Sequence, residues 1–435
     1  MSIELASILL LFAMFILAST LPINLGVMAF AGAYLLGTWG AGLDEEQMYA
    51  GFPASLFVLL VGVTYLFAIA QLNGTIDWLI GAGIRLVRGQ VVLIPWIMYL
   101  LTAALAAMGA LAAAALACVA PLAMRFAKRH RINPLMMGIM VCMGSVGGSF
   151  SPISPFGVIT NDTLESNDLS SSPGWLFANN LIFSALVSAV VFVVLGGLKL
   201  RRPALATIGA GAGPEIPADR DETAPGGGEA DVSITADPLN WRQALTLGAI
   251  VALVAGALIF DQDVGLLAFL LAAPLSMIAT ERPTEVVKHV PWSVVLLVAG
   301  MLTYVGVLDA VGTLDYVSDL VNKASSPLMV ALLICFIGAI ISAFAATAAV
   351  LSATIPLIVP LLSSGELSII GVTTAVCIAS TIVDSSPMST NGALLLANQT
   401  SWSERRFFRS LLVWAVLTVT AGPPLVWAMF VVTTR

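Results

Sequence analysis

The sequence predicts an all-α polytopic membrane protein made of two inverted repeats of about five spans, each with a helical hairpin and a broken helix. Three observations carry that prediction. Of 435 residues, 59% are hydrophobic and only 10% charged, so the solvent of most of the chain is lipid. Apolar stretches close to the roughly 20 residues that cross a hydrocarbon core of about 30 Å recur along both halves. The first half also returns in the second: Pro121, Cys142, Ser151, Pro152, Ser154 and Gly157 are matched 235 residues later by Pro356, Cys377, Ser386, Pro387, Ser389 and Gly392.

Taken in order, the first half (1–200) predicts spans near 4–20, 24–40 and 54–73, then 134–161 and 174–198. The N-terminal stretch has no basic residue ahead of its apolar core and no cleavage signal, so it reads as a first span. Between the third and fourth spans, the charge-free run from Val91 to Met124 is too long for one straight crossing. Gly109 interrupts it in an Ala-rich centre, which predicts a helical hairpin. Residues 201–240 contain Gly226 to Gly228, several prolines and scattered charge, with almost no large apolar residues, the composition of a flexible hydrophilic linker. The second half (241–435) restores the order, with spans near 242–260, 264–280 and 291–308, a charge-free run from Ala324 to Gly365, then 367–398 and 408–432. Gly74, Thr75 and Asp77 recur as Gly312, Thr313 and Asp315 at a spacing of 238, and Gly26 and Phe30 as Gly265 and Phe269 at 239; small loop insertions account for the drift. The segments from Gly74 to Arg88 and from Gly312 to Lys323 read as interfacial helices leading into each hairpin.

Five crossings per half invert the second half relative to the first. With the N-terminus outside, every one of the 18 Lys and Arg residues except Lys323 and Arg435 falls in an inner loop. The expected arrangement is therefore a multi-pass protein of a bacterial-type inner membrane, with both termini outside and 201–240 cytoplasmic. A single crossing by the run from Val91 to Met124 would place the cluster from Arg125 to Arg131 outside, so charge favours the hairpin.

Several function classes are excluded. Cys118, Cys142, Cys335 and Cys377 all fall in apolar stretches and make no disulfide framework. His130 and His289, both in expected inner loops, make neither a metal site nor a catalytic triad, so no enzyme, cofactor or metal is expected. The formal charge of -7 is spread over loops and linker and does not suggest nucleic acid. The linker is too short and too polar for a folded sensor domain.

Two interruptions remain. Gly147 to Gly157 stacks glycines, serines and prolines near the middle of one span, and its equivalent in the other half, Asp384 to Gly392, is equally rich in hydroxyls and carries a carboxamide. Within a bilayer a broken helix is tolerated where protein covers it or where it lines a cavity. Its free N–H groups attract anions and its free C=O groups attract cations. The residues that could hold a substrate are Ser149, Ser151, Ser154, Gly157, Thr160 and Asn161 in the first break, and Ser385, Ser386, Ser389, Thr390, Asn391 and Gly392 in the second. If helical geometry persists, Ser151 with Ser154 and Ser386 with Ser389 share a face. The competing reading is two packing kinks.

Asp384 is an acid in an otherwise uncharged membrane stretch, where an unpaired carboxylate is costly. It reads as the group that binds a cation or carries a proton, against a plainer role as a helix cap, and its counterpart is the neutral Ser149. At the hairpin tips, Met108-Gly109-Ala110 offers no polar side chain, whereas the second tip offers Ser342 and Thr347 as further coupling-ion candidates. The basic clusters from Arg125 to Arg131 and at Arg405, Arg406 and Arg409 read first as topology determinants. A secondary transporter follows from these features.

The motifs resemble those of the MatC-type malonate and dicarboxylate carriers, within the ion-transporter superfamily that includes the divalent-anion/sodium symporters. The likeness is carried by Pro22-Ile23-Asn24, Thr64 to Gln71 with Asn73 to Trp78, Phe150 to Ser154, Thr160-Asn161, Ile382 to Asp384, and Ser389 to Ala393. The resemblance implies uptake of malonate or a four-carbon dicarboxylate by a homodimer with re-entrant hairpins, driven by a sodium or proton gradient. The wider symporter family carries Ser-Asn-Thr at both hairpin tips; this chain has Gly109-Ala110 and Ala345-Ala346-Thr347 instead. A proton on Asp384, or a single cation site in the second half, fits these residues. The other expectation from the same superfamily is an exporter or antiporter for arsenite, citrate, or sodium and protons.

Overall fold

The computed structural model describes residues 3–21, 23–85, 90–201, 239–260, 262–278, 283–314, 316, 326–343, 346–363, 365–399 and 401–434. Most of the expected linker and most of the expected interfacial helix from Gly312 to Lys323 lie outside the described residues. Within them the protein is α-helical and polytopic, with no strand. Among the described residues, four helices are long and apolar enough to cross a membrane by themselves: Ala54–Leu72, Pro173–Val194, Trp292–Ala310 and Glu404–Val432. Shorter apolar helices fill in between, some in the hairpins and interrupted helices and others, such as Leu25–Ala41 and Val264–Ile278, at the start of each half.

The first half begins with α1 (Ile3–Thr20) and α2 (Leu25–Tyr34), which runs on into a π-helical segment, Leu35–Ala41. Asn24 starts α2 by accepting from the N–H groups of Gly26 and Val27 at 2.8 and 3.4 Å. A capping box between Asp44 and Gln47 starts the short α3 (Glu45–Ala50). Then come α4 (Ala54–Leu72), α5 (Thr75–Arg85), the hairpin α6 (Ile94–Ala107) and α7 (Ala112–Arg129), the interrupted pair α8 (Pro134–Gly148) and α9 (Pro155–Glu165), and α10 (Pro173–Val194).

The second half follows the same order: α11 (Trp241–Ile259), α12 (Val264–Ile278), a short α13 (Pro283–His289), α14 (Trp292–Ala310), the hairpin α15 (Pro327–Ser342) and α16 (Thr347–Ser363), the interrupted pair α17 (Ile369–Thr381) and α18 (Thr390–Asn398), and α19 (Glu404–Val426) with a π-helical end, Trp427–Val432. The hairpin spanning 91–124 is present, turning at Gly109 with φ +110. The short helices α3 and α13 are additions to the sequence reading. Six or seven residues are too few to display a period.

The halves are exchanged in space. The opening helices of the first half pack on α14 of the second, and those of the second pack on α4 of the first. The contacts use corresponding residues. A Cβ on Gly26 would lie 2.0 Å from the Leu296 carbonyl oxygen and 2.3 Å from Leu297 Cα, and one on Gly300 would lie 2.1 Å from the Gly26 oxygen. Likewise a Cβ on Gly265 would lie 2.7 Å from Leu59 Cα, and one on Gly62 would lie 2.7 Å from the Gly265 oxygen. Small residues thus let the backbones touch at both crossings, as close helix packing in membranes requires. Ser7 of α1 sits 2.9 Å from Thr313 beyond α14, and Asn73 beyond α4 donates to Thr246 of α11 at 2.7 Å.

The hairpins and broken helices form the rest of the bundle, again with reciprocal contacts: α7 packs on α18, and α16 packs on α9. Each hairpin's second arm therefore meets the broken helix of the opposite half, bringing both tips and both breaks to one place.

Candidate functional site

The two breaks share one construction. In the first, α8 ends at Gly148 and α9 begins at Pro155. Proline at the first helical position needs no N–H partner and stops the preceding helix from continuing. In the second, α17 ends at Thr381 and α18 begins at Thr390, capped by Ser389, whose hydroxyl accepts from the Gly392 N–H at 3.1 Å. The motif glycine closes each break. A Cβ on Gly157 would stand 2.2 Å from the Ser151 carbonyl oxygen, and one on Gly392 would stand 1.7 Å from the Ser386 oxygen. The unwound segment folds its carbonyls onto the next helix's first turn, and no side chain fits between them.

The serines are used differently from the shared face that an unbroken helix would have made. Ser151 donates to the Ala107 carbonyl at 2.6 Å, Ser154 to that of Ala106, and the two hydroxyls are 2.8 Å apart. The pair has two hydroxyl protons, enough for two of these three contacts at a time, and by donating them to the two carbonyls it latches the first break to the end of α6. Ser149 donates to Ser145 at 2.7 Å, Thr160 to Phe156 at 2.8 Å, and Asn161 to Gly157 at 2.6 Å, all within their own helical segments. In the second break, Ser385 accepts from the Trp414 indole at 2.8 Å and so faces α19, while the Ser386 hydroxyl accepts from the Met388 N–H at 3.4 Å.

Asp384 gathers the remaining polar groups. It is 5% exposed; Oδ1 accepts from the Thr347 hydroxyl and, at 3.4 Å, from Ser342, and Oδ2 accepts from the Asn391 amide at 3.4 Å. The three coupling-ion candidates, Asp384, Ser342 and Thr347, thus come together around one carboxylate, with Asn391 as a fourth member. At the spacing of 235 their counterparts are Ala107, Ala112, Ser149 and, for Asn391, Phe156. The polar quartet exists in one half only.

A cavity of about 460 Å³ opens onto this quartet. Asp384, Thr347, Asn391, Thr390, Asn24 and Ser293 form its polar side, and Phe15, Leu25, Leu297 and Phe156 its apolar side. Four helices present their first turns to it: α7 through Ala112 and Ala113, α9 through Phe156, α16 through Thr347 to Ala349, and α18 through Thr390 and Asn391. First-turn N–H groups have no partner inside their helix, and their dipole favours an anion. The N-cap residues of α7 and α9, Leu111 and Ser154, make no side-chain cap bond. Asp384 is the one ionisable side chain among the described residues lining the cavity.

Of the twelve substrate candidates, Thr390 and Asn391 line the cavity. The wall residues not anticipated as contacts are Asn24, Ser293, Phe156 and the alanines of both tips. The signal for the alanines was present, because a run of small residues leaves backbone N–H groups within a ligand's reach. Asn24 and Ser293 were hidden because they belong to the exchanged helices, and they meet when Asn24 donates to the Ser293 carbonyl at 2.7 Å. Among the described residues there is no group of three or more His, Cys, Asp or Glu placed to hold a metal.

A polytopic helical bundle with paired helix breaks around a partly polar cavity is the architecture of a membrane transporter, and the comparisons with known proteins agree. Residues 1–149 match the family model described as the dicarboxylate carrier protein MatC N-terminus. In fold, the chain is similar to the YdaH transporter of Alcanivorax borkumensis, whose crystal structure is described as revealing an unusual topology; the likeness has a TM-score of 0.52 at 15% identity and covers 91% of this chain and 87% of that one. No curated protein matches the sequence.

Proposed function

We propose that the chain is a secondary active transporter of small dicarboxylates, malonate or a four-carbon relative, driven by a proton or sodium gradient. In this reading it is a homodimer in a bacterial-type inner membrane, with inverted repeats 1–200 and 241–435, a cytoplasmic linker 201–240 and both termini outside. The observation that carries the reading is the cavity that gathers four helix N-termini around the single carboxylate of Asp384. Backbone N–H groups of α7, α9, α16 and α18 bind the substrate carboxylates, with Thr390 adding its hydroxyl. The apolar wall of Phe15, Phe156 and Leu297 receives the carbon chain and excludes water.

Coupling follows from electrostatics. Two like charges about 4 Å apart in a partly screened site repel by about 4 kcal/mol. A dicarboxylate therefore enters readily only when Asp384 carries a proton or a cation, and that charge is released again with the substrate. Thr347, Ser342 and Asn391 hold the carboxylate in place for either ion. Because the quartet occurs in one half, one coupling cation accompanies each substrate.

Purified protein in liposomes, given labelled malonate, succinate or malate under an imposed proton or sodium gradient, tests the reading. It predicts uptake of at least one dicarboxylate under one gradient and loss of that uptake when the gradient is collapsed. No dicarboxylate movement under either gradient refutes the substrate class. Dicarboxylate-independent exchange of sodium for protons points instead to the antiporter reading.

A further inference from the structure

A second cavity, of about 780 Å³, lies at one end of the bundle, away from Asp384. It is bounded by the end of α7, the start of α8, the end of α10 and the loop before α19. Lys128, Arg131 and Lys199 line it, and among the described residues no acidic one does. A neighbouring groove of about 540 Å³ adds Arg405, Arg406 and Arg409, and Arg406 stacks over the Trp402 ring at 4.1 Å from its centroid. Arg131 occupies the left-handed region with φ 54, a conformation that disfavours a bulky side chain. It is the left-handed residue that ends α7, where the Ile132 N–H donates to the Ala127 carbonyl at 2.9 Å. Beside the cations, α10 carries Val190 and Val194, 62% and 73% exposed, on its outer face. Trp402 adds an aromatic ring of the kind that marks the membrane interface.

We propose that this cavity binds the phosphate headgroup of an anionic membrane phospholipid, with Lys128, Arg131 and Lys199 around the phosphate and the acyl chains along Val190 and Val194. A ring of cations at the head of an apolar, lipid-facing stripe matches both parts of such a molecule, whereas a soluble anion would use only the first. Topology alone accounts for cations in these loops, but not for their convergence on a cavity that opens beside the stripe. The proposal rests on the membrane reading of the fold and is independent of the transported substrate.

The test is native mass spectrometry of the purified full chain with phosphatidylglycerol and phosphatidylcholine as competing probes. The wild type retains phosphatidylglycerol in preference to phosphatidylcholine. The triple variant Lys128→Gln/Arg131→Gln/Lys199→Gln binds phosphatidylglycerol on the order of a hundredfold more weakly. Ser401→Glu leaves every cation in place, so topology is preserved, and it sets a carboxylate in the cavity wall; it also loses the lipid, while Lys288→Gln on α13 keeps it. Equal retention of the two lipids by the wild type, or undiminished phosphatidylglycerol binding by Ser401→Glu, overturns the proposal. Full displacement of the lipid by millimolar inorganic phosphate assigns the cavity to a soluble phosphate and overturns the lipid assignment.

Discussion

The first and second breaks are the same mechanical object with different chemistry. Both interrupt a helix near its middle, both are closed by a glycine under a serine carbonyl, and both meet a hairpin arm from the opposite half. They differ in the polar groups that the breaks and the hairpin tips bring together. Where the second half sets Ser342, Thr347, Asp384 and Asn391 around one carboxylate, the first sets Ala107, Ala112, Ser149 and Phe156. The lesson is that a duplicated scaffold holds its geometry through its matched glycines and prolines. Its polar groups are then free to diverge, and in the proposed reading one copy takes the coupling ion while the other helps to close the cavity.

The largest effect that sharpens this comparison is expected at the carboxylate. Asp384→Asn should abolish gradient-driven uptake in liposomes while the protein stays folded, since the amide keeps the shape and loses the charge. Ser149→Ala, at the matching position, should leave uptake essentially unchanged. Equal losses in the two variants would dissolve the asymmetry.

Next come the closing glycines, where the halves should behave alike. Gly157→Ala and Gly392→Ala each force a methyl group against a carbonyl, and each should destabilise by roughly 1–3 kcal/mol, seen as a lowered midpoint in thermal unfolding in detergent. A smaller, one-sided effect is expected from copying the first half into the second. Thr347→Ala removes a hydrogen bond to a charged group, a contribution of about 1.5–3 kcal/mol, and should lower uptake at limiting driving ion by roughly tenfold or more. The converse, Ala112→Thr, should change little. Smallest is the latch. Ser151→Ala with Ser154→Ala should lower stability by about 1 kcal/mol per lost bond without altering the dependence of uptake on the driving ion.

Much of this comparison was legible in the sequence, for physical reasons. Proline and glycine act locally, so the interruptions at Ser151 and Ser386 and the hairpin turn at Gly109 could be read without a structure. A carboxylate in lipid is costly, which singled out Asp384, and Ser342 and Thr347 stood out as the polar residues of the second hairpin tip. The direction of each serine was not legible. Spacing places Ser151 and Ser154 on one face only while the backbone remains helical, and the backbone unwinds between Gly148 and Pro155. Their hydroxyls turn to Ala107 and Ala106, across a contact distant in sequence. The exchange of opening helices was also hidden, because Gly26 and Gly265 declare themselves only beside Leu297 and Leu59. For the same reason Asn24 and Ser293 entered the cavity wall unannounced.

The central claim is that coupling resides in the second half alone, at a single site. The most direct test is the number of driving cations moved per dicarboxylate, measured in liposomes as the cation gradient that just balances an opposing substrate gradient at known membrane potential. One cation per substrate is the predicted result, and a ratio of two or more would contradict the account.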